Sequence, residues 1–156
     1  MAEEKHMWEA IELSRRNIQQ GVGGPFAAVI VRNGSIVARG TNLVTSTNDP
    51  TAHAEIVAIR AACRSLKTFQ LSDCEIYTTC EPCPMCLGAI YWARLKAVVY
   101  ANTRRDAAAI GFDDEFLYHE FTLPLTDRKI SLTQMLRHDA LQVFQEWAFM
   151  EDKTRY

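Results

Sequence analysis

The sequence predicts an α/β fold: a three-layer α/β/α sandwich around a mixed sheet of roughly five strands. Three observations lead there. Apolar residues make up 48% of the 156 and charged residues 23%, a composition that can bury a full core within one domain spanning 1–156. Runs with helical apolar spacing alternate with short β-branched runs along the chain. The first two strand runs flank Asn33-Gly34, a strong hairpin signal, so the sheet opens antiparallel before strand–helix alternation makes it mixed.

Each element has a local reason. Residues 3–19 carry Met7, Trp8, Ala10, Ile11, Leu13 and Ile18 as a loose helical stripe, and GVGGPF at 21–26 breaks it. AAVIVR and SIVARGTN are the hairpin strands, and LVTSTNDPT is a polar loop. A helix is expected over 52–66. CEIYTTC at 74–80 is β-branched and aromatic, hence a strand. Pro84 suits the first turn of a helix that continues through MCLGAIYWA. A strand follows at 96–102 and a short helix around Asp106–Ile110. Residues 111–130 carry no clear period. RHDALQVFQEWAFMED at 137–152 reads as an amphipathic helix, with Asp139 as its cap and Leu141, Phe144, Trp147 and Ala148 on one face.

The bulk numbers exclude some classes. The net charge is −2, with both signs mixed along the chain, so no basic footprint for nucleic acid is visible. No apolar run approaches the ~20 residues of a membrane span. The N-terminus lacks the basic start and apolar run of a secretory signal, so the default expectation is the cytoplasm. Five cysteines are present, and Cys80, Cys83 and Cys86 cluster within seven residues. An odd, clustered set in a reducing compartment points to metal ligands or reactive thiols rather than a disulfide framework. Cys63 and Cys74 read as small buried hydrophobes.

The chemistry lies in two stretches, TAHAEIVAIR at 51–60 and CEPCPMC at 80–86. Each part alone has a plain reading. Cys83-Pro-Met-Cys86 can be a redox pair or two buried thiols; His53 can be a capping or packed histidine; Glu55 can be a first-turn glutamate that complements the helix dipole. Together they read differently. Two sulfurs and one imidazole make a three-ligand zinc site whose fourth position is left for water, the layout of a catalytic centre. His-x-Glu opening one helix and Pro-Cys-x-x-Cys opening the next match the signature of zinc-dependent base deaminases.

On these residues the chain resembles the cytidine deaminase-like superfamily, and within it the bacterial guanine deaminases. The resemblance runs over GGPFAAVIV, TSTNDPTAHAEIVAIR, CEPCPMCLGAIYWAR and GFDDEF. It implies one zinc ion held by His53, Cys83 and Cys86, with Glu55 as the catalytic proton carrier. It also implies hydrolytic deamination of guanine to xanthine and ammonia. Asn42 is expected to bond the base edge, Phe26 to stack on it and Trp92 to line the pocket, with Ala54 completing the substrate-binding set. Asp114 is expected to accept from the exocyclic amine and N1–H of guanine, a donor pair that adenine lacks; the alternative for Asp113-Asp114 is helix capping. In the guanine deaminases that the chain resembles, the C-terminal segment crosses to a partner subunit and its last residue closes over the site. The resemblance therefore implies a homodimer, exchanged through about 137–156, with Tyr156 over the base.

Three other readings compete. A tRNA adenosine deaminase shares both motifs but needs a basic surface. A cytosine or deoxycytidylate deaminase shares them too. A purely structural zinc module needs a fourth protein ligand, for which Cys80 is the candidate.

Overall fold

The structure is a computed structural model that describes residues 2–156. These residues fall into two compact units, one ending at Tyr118 and one running from His119 to Tyr156.

The first unit is built on a sheet of four strands: β1 (Ala27–Arg32), β2 (Ser35–Thr41), β3 (Cys74–Cys80) and β4 (Ala97–Asn102). Their order is β2-β1-β3-β4; β1 is antiparallel to both neighbours and β3 is parallel to β4. The hairpin forms where Asn33-Gly34 predicts it. Both residues take positive φ, 51° and 74°, which a two-residue turn matched to strand twist requires. Among the described residues there is no fifth strand, one fewer than the sequence reading. After β4 the chain enters a capping box and the short helix expected there. The Thr103 amide donates to Asp106 Oδ2 at 2.8 Å and the Asp106 amide to Thr103 Oγ1 at 3.3 Å, starting α5 (Arg104–Ala109).

Period-two alternation sends neighbouring strand residues to opposite faces. Val29, Val31 and Tyr77 pack with Ala10 of α1 (Glu4–Gln19). Ala28, Ile30 and Ile76 pack with Ala54, Ala58 and Ala62 of α3 (Ala54–Leu66) and Ile90 of α4 (Pro84–Trp92). Helices thus cover both sides of a mixed sheet, as expected. A one-turn helix, α2 (Val44–Thr47), occupies part of the polar loop. α6 (Asp114–Thr122) arises in the stretch that carries no sequence period.

Alanine-rich α3 lies unusually close to β2. A Cβ on Gly40 would come within 2.3 Å of the Ala54 carbonyl oxygen and 2.4 Å of the Ala58 nitrogen, both backbone atoms. Glycine is therefore demanded here by space, and the first turn of α3 is seated directly on it.

The second unit holds a short 3-10 turn (Leu125–Asp127) and α7 (Arg137–Phe149). Asp139 does not cap α7, contrary to the sequence reading. The cap position falls on Leu136, in the left-handed conformation at φ 51°, so Asp139 lies inside the first turn, where it still complements the dipole. The Leu141, Phe144 and Trp147 side chains are exposed. No helix among the described residues is long and apolar enough to cross a membrane.

Replacing Gly40 with Ala forces α3 off the sheet. The expected cost is about 1–3 kcal/mol of unfolding free energy, with weaker metal retention because His53 moves with the helix. Denaturant unfolding and metal analysis of the variant check this.

Candidate active site

Two helix starts converge at the end of the sheet where β3 finishes. His53 precedes α3 and Cys83 precedes α4, each with the extended backbone of a cap residue (φ −66°, ψ 156° and φ −66°, ψ 166°). Neither side chain bonds its own helix's amides, which is what a cap side chain normally does. They face one another instead, with His53 Nδ1 and Cys83 Sγ 3.7 Å apart. Cys86 sits one turn into α4. The ligand atoms of His53, Cys83 and Cys86 all lie within 4.8 Å of one another, and no other group of this kind occurs among the described residues.

His53 and Cys83 open onto a cavity of about 300 Å³, with Cys86 buried behind them. Glu55 and Cys80 share the ligand side of it. Phe26 and Phe112 form an apolar side, ring edge to ring face at 4.8 Å and 89°. Asn42 and Asp114 supply polar atoms. The Asn42 side chain does two things: its Oδ1 accepts from the Val44 amide at 3.3 Å, and the amide lines the cavity. Asn17 of α1 fixes the backbone around it, donating from Nδ2 to the carbonyls of Gly24 and Asn42 at 2.9 and 3.0 Å. The aspartate pair divides its work. Asp113 caps α6 by accepting from the Phe116 amide at 3.0 Å, and Asp114, one residue on, lines the cavity.

A family model, the cytidine and deoxycytidylate deaminase zinc-binding region, matches residues 1–102. The chain belongs to this family. Among relatives, guanine deaminase of Bacillus subtilis (strain 168) is 51% identical over 156 residues, 100% of both chains. An X-ray structure of guanine deaminase from Bacillus subtilis matches at TM-score 0.96 and 51% identity, covering 100% of this chain and 99% of that one. A guanine deaminase structure from Nitrosomonas europaea gives TM-score 0.69 at 35% identity, over 94% of this chain and 84% of that one. A tRNA-specific adenosine deaminase of Aquifex aeolicus (strain VF5) is 40% identical over 101 residues, 65% of this chain and 66% of the relative.

The donor set fits the zinc of the deaminase family. Two sulfurs and one imidazole suit a borderline-soft ion, and both helix N-termini favour the anionic sulfurs. Cys83 is already held low, at about 4, chiefly because the Cys86 thiol donates to it, with His53 assisting. The same shared proton, together with burial, pushes Cys86 up. His53 is raised, first by its contact with Cys83. Glu55 is raised by burial. Cys80 does not join the ligands: its Sγ leans on the Thr103 carbonyl oxygen at 3.6 Å, and burial pushes its thiol up to about 12. The site therefore offers three protein ligands and not four, the open arrangement of a deaminase and not the closed one of a structural zinc module.

Some expected residues lie elsewhere. Trp92 does not line the cavity; it sits at the outer end of α4 and is 65% exposed, because Ile90 takes the inward position there. Ala54 is fully buried under the first turn of α3, seated over Gly40 and away from the cavity wall. Tyr156 belongs to the second unit and its side chain is exposed. Sequence reasoning missed Phe112, which had a signal in its place just before Asp113-Asp114, and Thr78, whose signal is a hydroxyl at an inward strand position.

Zinc must displace the Cys86 proton, whereas Cys83 is largely ionised without it. Affinity is therefore expected to fall as pH falls, by about tenfold per unit for the one proton displaced above the raised His53 value, and more steeply below it, where His53 is protonated too. Competition with a chelator across pH measures this slope.

Proposed function

We propose that this chain hydrolyses guanine to xanthine and ammonia. The observation that carries this reading is the Asp114 carboxylate on the wall of the same cavity as the zinc ligands and Glu55. A carboxylate accepts from two donors at once, and guanine presents N1–H and a 2-amino group side by side. Adenine presents no such pair, and charge-assisted bonds are roughly twice as strong as neutral ones. The full-length likeness to a guanine deaminase supports the same substrate. The likeness to tRNA deaminases is weaker, 40% identity over 65% of the chain in one relative and 37% over 80% in another, and a net charge of −2 suits a small base better than a polyanion. A cavity of about 300 Å³ is at the small end for ligand sites, sized for one base.

In this mechanism Asn42 donates to the base edge and Phe26, held edge-on by Phe112, packs on the ring. Asp114 fixes the orientation, so the carbon bearing the departing amine faces His53 and Cys83. Zinc, when bound, supplies the Lewis acid that makes water reactive near neutral pH. Glu55 is not a ligand. It accepts one proton of the attacking water and passes it to a ring nitrogen, then carries the second, from the newly added hydroxyl, to the amine that leaves as ammonia while the ring carbonyl forms. Burial, which raises Glu55, suits a group that must both take and return a proton.

The reading extends to assembly and location. Leu141, Phe144, Trp147 and Phe149 are exposed in the single chain, more apolar surface than one helix of a monomer ordinarily leaves in water. A homodimer in which the segment from about 137 to 156 is exchanged would cover them and bring Tyr156 to the partner's site, with all 156 residues forming one deaminase domain. Free thiols at all five cysteines suit the cytoplasm.

Replacing Glu55 with Gln is expected to keep zinc and lower ammonia release from guanine by about 10²–10⁴-fold. Asp114→Asn is expected to lower kcat/KM for guanine by roughly 10- to 100-fold, the worth of a charged hydrogen bond. A panel of guanine, guanosine, adenine, cytosine, cytidine and a tRNA anticodon stem checks the substrate; activity on the stem alone overturns the proposal. Deleting residues 153–156 is expected to cut turnover far more than thermal stability; full turnover in the truncated protein removes Tyr156 from the site.

A further inference from the structure

Behind Glu55, on the central strand β3, stands a hydroxyl with no packing reason to be there. Thr78 is 1% exposed and is paired on both sides, to Ala28 of β1 and Tyr100 of β4. It shares its face of the sheet with Ile76, which packs in the apolar cluster under α3. Valine has nearly the same shape, is at least as good a strand former and brings no polar atom into a core. The hydroxyl has one visible use: its Oγ1 donates to Glu55 Oε1 at 3.1 Å.

Glu55 receives one other side-chain donor, the Cys86 thiol, whose Sγ lies 3.5 Å from Oε2. That donor cannot persist when Cys86 serves as a zinc ligand, because a ligating cysteine has lost its proton. The Thr78 bond does not depend on the metal. It comes from a strand with neighbours on both sides, so the donor is rigid. Glu55 lines the cavity while Thr78 stands outside it, so the hydroxyl touches the carboxylate from behind.

We infer that Thr78 is a positioning residue for the reaction: its hydroxyl pins Glu55 Oε1 and leaves Oε2 turned to the cavity as the oxygen that carries the proton. This rests on Glu55 being the proton carrier, as proposed above. A carboxylate free to rotate would present its two oxygens indifferently and would spend part of each turnover misaligned. Held at one oxygen, it takes and returns the proton at a fixed point. Thr78 itself neither meets the base nor exchanges a proton with it.

The test compares Thr78→Val, which keeps the shape and removes the hydroxyl, with Thr78→Ser, which keeps the hydroxyl. Zinc content, unfolding midpoint, KM and kcat are read for both, beside wild type and Glu55→Gln, on whichever base of the panel the wild type turns over. The expected result is a valine variant with full zinc and nearly unchanged KM, whose kcat falls roughly ten- to a hundredfold, within what a positioned general base contributes. The serine variant recovers kcat to within a few-fold. Adding Thr78→Val to Glu55→Gln costs nothing further, since the two act as one unit. A crystal structure of the valine variant shows the Glu55 carboxylate turned or in two positions. Unchanged kcat in the valine variant overturns the inference, as does an equal loss in valine and serine. So does a further loss in the double variant. A fully active Glu55→Gln enzyme instead overturns the reading of Glu55 beneath it, which keeps the two failures apart.

Discussion

Everything at this site depends on two helices starting at the same place. His53 and Cys83 are cap residues whose side chains do not cap, and their helices point their amide ends at one cavity. An unfilled cap leaves orphan N–H groups, and here the helix dipoles, together with the Cys86 amide, favour the sulfur anion of Cys83. The cost is accepted at two helices at once. What makes it structurally affordable is the seating of α3: alanines at 54, 58 and 62 against Gly40 and the sheet hold the first turn by close packing, so it does not need a cap bond to stay wound.

That seating explains why the ligands and the acid–base group come from different depths. His53 stands at the cap, Glu55 within the first turn, and Cys86 one turn into the neighbouring helix. The helical rise of 1.5 Å per residue sets Glu55 back from the ligand plane, where burial raises it and Thr78 can reach it from the sheet.

How far the sequence reveals this differs by element. β3 is legible end to end because β-branched residues fill it and polar residues bound it. The hairpin is legible because Asn-Gly has few other uses. The zinc ligands and Glu55 are legible because metal chemistry needs few residue types at fixed spacing. α6 is not, since its start depends on an Asp113 cap that resembles any acidic loop. The short helix after β4 is legible for the reverse reason, since its Thr103–Asp106 capping box lies in the sequence at the right spacing. Trp92 misleads because α4 is apolar all round, so no stripe tells its inner from its outer face. Thr78 offers only a weak signal, a hydroxyl at an inward strand position, and is ordinary until its partner on α3 is known.

On the proposed reading, the charges favour a guanine-like edge in this cavity. Without a cation, Cys83, Glu55 and Asp114 crowd one another; the Cys83 charge raises both carboxyls. A dication removes that repulsion and frees the two carboxylates for separate tasks. Glu55 still has Thr78 to bond, whereas Asp114, raised first by burial, lines the cavity. On the proposed reading, a base with paired donors satisfies Asp114. One without them leaves a half-buried carboxylate desolvated and unpaired, which costs more than a missing attraction would. Discrimination of this kind works by penalty on the wrong base, and it is the strong kind, since a site built to pair a donor rejects the analogue lacking it far more sharply than an apolar pocket rejects a misfit.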